Sequence, residues 1–127
     1  MKQEDKELLL KDLCSRLPYG VKGLVTFNGN IFKDEDRTID GKLYDRFAEF
    51  QDSWYDNVTI KPYLFPLSSM TKEQCRELRE LINTGQNDNN EFMRSLCRIE
   101  FYHKHHLDYR GLIEKGIAID ATGLNVY

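Results

Sequence analysis

Leucines recur every four residues near the start of the chain, at Leu9, Leu13 and Leu17, with Leu10 and Cys14 alongside. An apolar stripe at that spacing predicts an amphipathic helix over residues 4–17. Pro18 closes it, because the residue before a proline is pushed out of the helical region. Tyr19 and Gly20 are expected to turn the chain. The period then changes. Val21, Leu24, Val25 and Phe27 form a β-prone run that stops at the hairpin-type sequence Asn28-Gly29-Asn30. Ile31 and Phe32 resume the pattern before a charged stretch, Lys33 to Arg37, expected as a loop. Asp40-Gly41 predicts a second hairpin, with 43–50 fitting a strand or a short helix and read as a strand, and Val58-Thr59-Ile60 predicts a last short strand. Pro62 and Pro66 then argue against a regular helix or a central strand, so 61–67 is expected to cross the sheet as an extended connector.

Helical spacing returns after Thr71. Thr71 and Gln74 have the form of a capping box, and Cys75, Leu78, Leu81 and Ile82 predict the buried face of a helix over 71–83. Glu73, Arg76, Glu77 and Glu80 decorate its solvent side. Gly85 ends it, and 86–90 is a polar loop. Phe92, Leu96 and Ile99, four and three apart and flanked by Met93 and Cys97, predict a further helix over 90–105. Short pieces follow, among which Ile117-Ala118-Ile119 reads as an edge strand. There is no internal repeat, low-complexity tract or linker, so 1–127 is read as a single domain. The expected fold is α+β: an N-terminal helix, a small antiparallel sheet over roughly 21–60, two further helices and a C-terminal tail. An SH3-like curl is one form that sheet can take.

Composition narrows the class. The chain has 127 residues, 40% hydrophobic and 31% charged, which suits one packed core and argues against global disorder. No apolar run approaches a membrane span, and the N-terminus lacks the form of a secretory signal, so a cytoplasmic protein with no membrane partner is expected. Cys14, Cys75 and Cys97 are odd in number and far apart, each at an apolar helix position, so they read as small core residues rather than a disulfide or zinc framework. The net charge of −3 makes nucleic acid an unlikely partner, because phosphate neutralisation leaves a basic footprint. If nucleic acid does bind, Lys61, Arg94, Arg98, Lys104 and Arg110 are the cations to carry it.

Candidate chemistry is sparse. His103, His105 and His106 with Asp108 invite a metal, but only His103 and His106 share a helical face and no third ligand is evident. They read better as partly cationic histidines at a negative helix C-terminus, and neither metal nor cofactor is expected. No nucleophile elbow or glycine-rich phosphate loop occurs, so the reading leans away from an enzyme. Trp54 and Tyr55, set among polar neighbours, are the first candidates for an exposed interface, and Tyr63, Tyr109 and Arg110 follow.

Three blocks carry a resemblance: LCSRLPYGVKG at 13–23, IKPYLFPLSSMTKEQ at 60–74 and HLDYRGLIEKGIAIDATGLNVY at 106–127. In this order they resemble short uncharacterised proteins of Bacteroides-type bacteria, their prophages and their phages. The chain departs from that group by carrying Phe92–His103 where a tryptophan-containing helix is more usual. The resemblance implies a source and a genetic context, with no catalytic residue, cofactor or ligand attached. Together these features predict a non-enzymatic phage or mobile-element accessory protein that binds a host or phage protein, blunting a host defence. The alternative is a small-molecule or nucleotide-binding protein or enzyme with a pocket around Tyr63, Tyr109, Arg110 and the histidines.

Overall fold

The computed structural model describes residues 2–28, 33–49, 57–84 and 91–127. Among them, four α-helices and five strands follow in the order α1 (Gln3–Arg16), β1 (Lys22–Asn28), β2 (Lys33–Thr38), α2 (Gly41–Glu49), β3 (Asn57–Pro66), α3 (Lys72–Thr84), α4 (Glu91–Lys104), β4 (Leu107–Asp108) and β5 (Ile119–Asp120). The architecture is α+β with a mixed sheet and an N-terminal helix.

Helix α1 buries Leu9 and Leu13 completely, as the four-residue spacing predicts. Asp12 and Arg16 fall on the same face and are equally buried, while Cys14 points to solvent. The helix runs into a 3-10 turn at Leu17–Tyr19 with Pro18 in its first turn, and Gly20 takes the left-handed φ of 70° that releases the chain into β1.

The three long strands are antiparallel in the order β2-β1-β3. The charged run Lys33–Thr38 is therefore an edge strand rather than a loop. Charge on an exposed edge is a common defence against edge-to-edge pairing. Asp40-Gly41 does not form a hairpin. The Asp40 carboxylate instead accepts the Leu43 N–H at 2.8 Å and starts helix α2, which buries Leu43 and Phe47 in the core. The Asp-Gly dipeptide suits either role, and the four-residue spacing of Ile39, Leu43 and Phe47 favours the helix.

Strand β3 is central despite its two prolines. It pairs antiparallel with β1 up to Gly23↔Pro62 and parallel with β4 up to Pro66↔Asp108, so each proline ends a ladder and no interior bond is lost. Past Pro62, β5 pairs in parallel with Tyr63 and Leu64. The Leu64 carbonyl accepts from Ala121 while the Phe65 N–H of the same peptide donates to the His106 carbonyl. The two groups of one peptide point opposite ways, so β5 and β4 lie on opposite edges of β3. These parallel additions, and the helix between β2 and β3, distinguish the sheet from an SH3-like meander. Leu9 and Leu13 pack with Val25, Ile39, Phe47, Val58, Ile60, Leu64 and Leu112 in one core.

The capping box at Thr71 forms as predicted. The Gln74 N–H donates to Thr71 Oγ1 at 3.1 Å, and the Thr71 N–H donates to Gln74 Oε1 at 3.0 Å. The expected burial of α3 and α4 does not follow. Cys75 and Leu81 are exposed, Leu78, Ile82 and Cys97 only half-buried, and the stripe Phe92, Leu96 and Ile99 faces solvent. The reading of the cysteines as core residues is thus corrected for all three: none is buried. The hairpin at 28–30, the Ile31-Phe32 segment and the loop 85–90 involve positions outside the described residues.

Candidate interaction surface and polar cleft

Helix α4 packs in two ways along its length. Toward its C-terminal end Phe101 and His103 are buried, where Tyr19 and Tyr109 cover the imidazole. Over the preceding turns, the residues that continue the same apolar line are exposed. Phe92 is 70% exposed, Met93 43%, Leu96 38% and Ile99 37%, and Leu81 of α3 beside them is 43% exposed. Together these side chains leave apolar surface on the order of 400 Å², the size of the largest patch on many monomers, which is often functional. Tyr19, Leu81, Cys97 and Phe101 also line a groove of about 200 Å³ along this helix pair.

Beneath the C-terminal end of α4 lies a buried polar network. Arg16 Nε donates to Asp12 Oδ2 at 2.8 Å, and its Nη2 donates to the Leu107 carbonyl at 2.6 Å. Arg110 Nε sits 3.2 Å from the other Asp12 oxygen, and its Nη2 donates to Tyr109 Oη at 2.8 Å. The same hydroxyl lies 2.7 Å from His103 Nε2, in a hydrogen bond whose direction follows the imidazole tautomer. Burial, then the Arg16 and Arg110 charges, lower the His103 pKa to about 4. His106 is lowered to about 4 by burial and by the Arg16, His105 and Lys22 charges. Both imidazoles are neutral at pH 7, so the expectation of partly cationic histidines at the helix end is corrected for these two. Burial also raises the Asp12 pKa, outweighing the opposing Arg16 and Arg110.

The residues expected around one pocket are divided. Tyr109 and Arg110 join His103 in the buried network. Tyr63 turns the other way: its hydroxyl donates to Asp36 Oδ1, and burial with that bond pushes its pKa up to about 12. It lines a separate cleft with Lys22, Arg37 and residues 124–126. His105 and His106 line a third cleft, with Phe65, Ser69, Thr71, Gln74, Lys104 and Thr122. Trp54 and Tyr55 lie outside the described residues. Of the cations considered for nucleic acid, Arg110 is engaged by Asp12 and Tyr109, Lys61 sits on β3, and Arg94, Arg98 and Lys104 sit on α4. Among the described residues no group of three or more His, Cys, Asp or Glu is placed to hold a metal ion, and no helix is long and apolar enough to cross a membrane.

Three features escaped the sequence reading. Asp12 and Arg16 follow Leu9 at the three- and four-residue steps of the buried face, so their positions alone carried the signal. Tyr127 stacks on His106 with ring centroids 3.8 Å apart, accepts the Lys22 N–H at 3.0 Å and donates to the Tyr63 carbonyl at 2.7 Å. No local pattern marks such a long-range clasp. The exposed stripe of α4 was visible as periodicity, but periodicity does not say whether a face is covered.

No protein-family model matches the chain, and comparison with curated proteins and with solved structures likewise finds no significant match.

Proposed function

We propose that this chain is a non-enzymatic accessory protein that works by binding another protein through the apolar stripe of α4 and the adjoining edge of α3. The observation that carries this reading is the stripe itself. Leu96 and Ile99, with Met93 and the largely exposed Phe92, continue a line of side chains that is buried one turn later at His103. Steps of four and three residues are those by which one amphipathic helix seats against another, so the fitting partner presents a helix with an apolar face. The groove beside Leu81 and Cys97 offers that helix a place for one anchoring side chain. The sequence blocks at 13–23, 60–74 and 106–127 support a partner drawn from a host or a phage, and action against a host defence is the corresponding biological role.

A photoreactive residue at Ser95, beside the stripe, tests this in cells of the native host, with Lys42 on α2 as control. A discrete crosslinked protein from position 95, lost when Leu96 is changed to Glu and not formed from position 42, is the expected result. Equal crosslinking from both positions, or none from either, overturns the reading. Leu96→Glu itself should leave the fold intact, because the side chain is already exposed.

A further inference from the structure

Strand β3 has a parallel neighbour on each edge, and through a 3-10 turn at Leu67–Ser69 it leads into the N-terminus of α3. A cleft of about 400 Å³ is bounded by Phe65 of β3, Ser69 and Thr71 after it, His106 just before β4, and Thr122 after β5. Lys104 lines both this cleft and the groove between α3 and α4.

The groups around this cleft share one chemistry. His106 Nδ1 is buried without a hydrogen-bond partner, although its ring is fixed by stacking on Tyr127. His105 Nε2 is also buried, and its nearest acid is Glu77 at 3.9 Å, too long for a hydrogen bond. Lys104 Nζ reaches the same carboxylate, also at 3.9 Å. Glu77 is half-exposed on the rim, so two donors converge on a loosely held carboxylate. Arg16 and Lys22 add positive charge close to His106, and the Thr71 hydroxyl, which accepts from Gln74, keeps its own proton to donate. A neutral imidazole, an ammonium and a hydroxyl can each donate to an oxyanion, and the buried nitrogens leave that capacity unused.

We propose that this cleft binds a small oxyanion, a phosphate or carboxylate group of a metabolite, held by His106, His105 and Lys104 in place of Glu77. The apolar wall formed by Phe65 and Leu107 suits a ligand that carries the anionic group on a short hydrocarbon or ring. Binding needs no chemistry at the site.

Inorganic phosphate and acetate are the probes, each titrated at ionic strength matched with chloride. Histidine-ring NMR and thermal unfolding are the readouts. Saturable movement of the His106 and His105 ring signals, with a rise in Tm, is expected from at least one probe. Whichever probe acts assigns the group as phosphate or carboxylate. Lys104→Ala, at an exposed position, should weaken that response about tenfold, the effect of losing a charged hydrogen bond of about 1.4 kcal/mol. His106→Asn keeps a residue type that tolerates the φ of 56° at this position but is too short to reach the ligand, and it should abolish the ring-signal response at His105. No saturable shift with either probe, or an unchanged response in Lys104→Ala, overturns the proposal.

Discussion

Replacing Arg16 with methionine keeps an unbranched stem and removes the guanidinium and its charge at a position with no solvent exposure. Two bonds go: the one to Asp12 at 2.8 Å and the one to the Leu107 carbonyl at 2.6 Å. Breaking a buried pair by deleting one partner costs about 3–5 kcal/mol, because the remaining charge is left desolvated. Arg110 stays 3.2 Å from Asp12 and the raised pKa of Asp12 eases its protonation, so the low end applies. The orphaned Leu107 carbonyl adds about 1 kcal/mol, partly offset by the better burial of a methionine stem. The expected loss is about 3 kcal/mol. Urea unfolding followed by far-ultraviolet circular dichroism should show the midpoint fall by roughly 1.5 M with an unchanged slope. The double change Asp12→Asn with Arg16→Met should recover about half of that loss, since no unpaired buried carboxylate remains. A loss below about 1 kcal/mol for the single change, or a double variant no more stable than the single, would refute the view that this pair is held against desolvation.

Stability should also depend on pH through the two suppressed histidines. An unfolded histidine takes a proton near pH 6.5, whereas His103 and His106 resist until about pH 4. The unfolded state therefore binds more protons across that window, and stability falls as pH drops from about 6.5 to 4 and then levels off for these groups. His103 alone contributes up to about 3 kcal/mol, so His103→Gln should flatten the dependence of the urea midpoint between pH 4.5 and 7; an unaltered slope would count against its burial as a neutral ring. Thr71→Ala removes the oxygen that caps α3 and should cost about 1 kcal/mol by thermal unfolding, with Thr71→Ser restoring most of it. Tyr127→Phe keeps the stack on His106 but loses the hydroxyl that joins Lys22 to Tyr63, and a loss of about 1 kcal/mol is expected, with none anticipated from Tyr102→Phe if the clasp is specific.

Helices α1, α3 and α4, the capping box and the first strand could be read from the sequence because each is set by neighbours within a few residues. Leu9 and Leu13, or Thr71 and Gln74, interact through the element they belong to. The errors arose where one local signal serves two structures. Asp40-Gly41 fits a hairpin as well as a helix start, and only the helix buries Leu43 and Phe47 against β3. Lys33–Thr38 looks like a loop until β1 supplies a partner for its backbone. Pro62 and Pro66 argued against a central strand, yet both fall where pairing to a neighbour ends. For the candidate sites, residue identity was informative and grouping was not. Tyr109 meets His103 directly, but Arg110 is paired with Asp12 and Arg16 with the Leu107 carbonyl, ninety or so residues apart, and no spacing rule reaches that far.

The placement of β3 between two late segments bears on when the fold can close. Phe65 waits 42 residues for Leu107, Tyr63 waits 56 for Ile119, and Arg16 waits 91 for the Leu107 carbonyl. During synthesis α1 and the three antiparallel strands can assemble, but Asp12 and Arg16 then face an unlidded core and half of β3 has two bare edges. Contacts this distant make folding slow, and a waiting sheet edge is what aggregation captures. The protein should therefore acquire its final form only after residues 107–127 have left the ribosome, in one late step that seals the buried charges and both edges together.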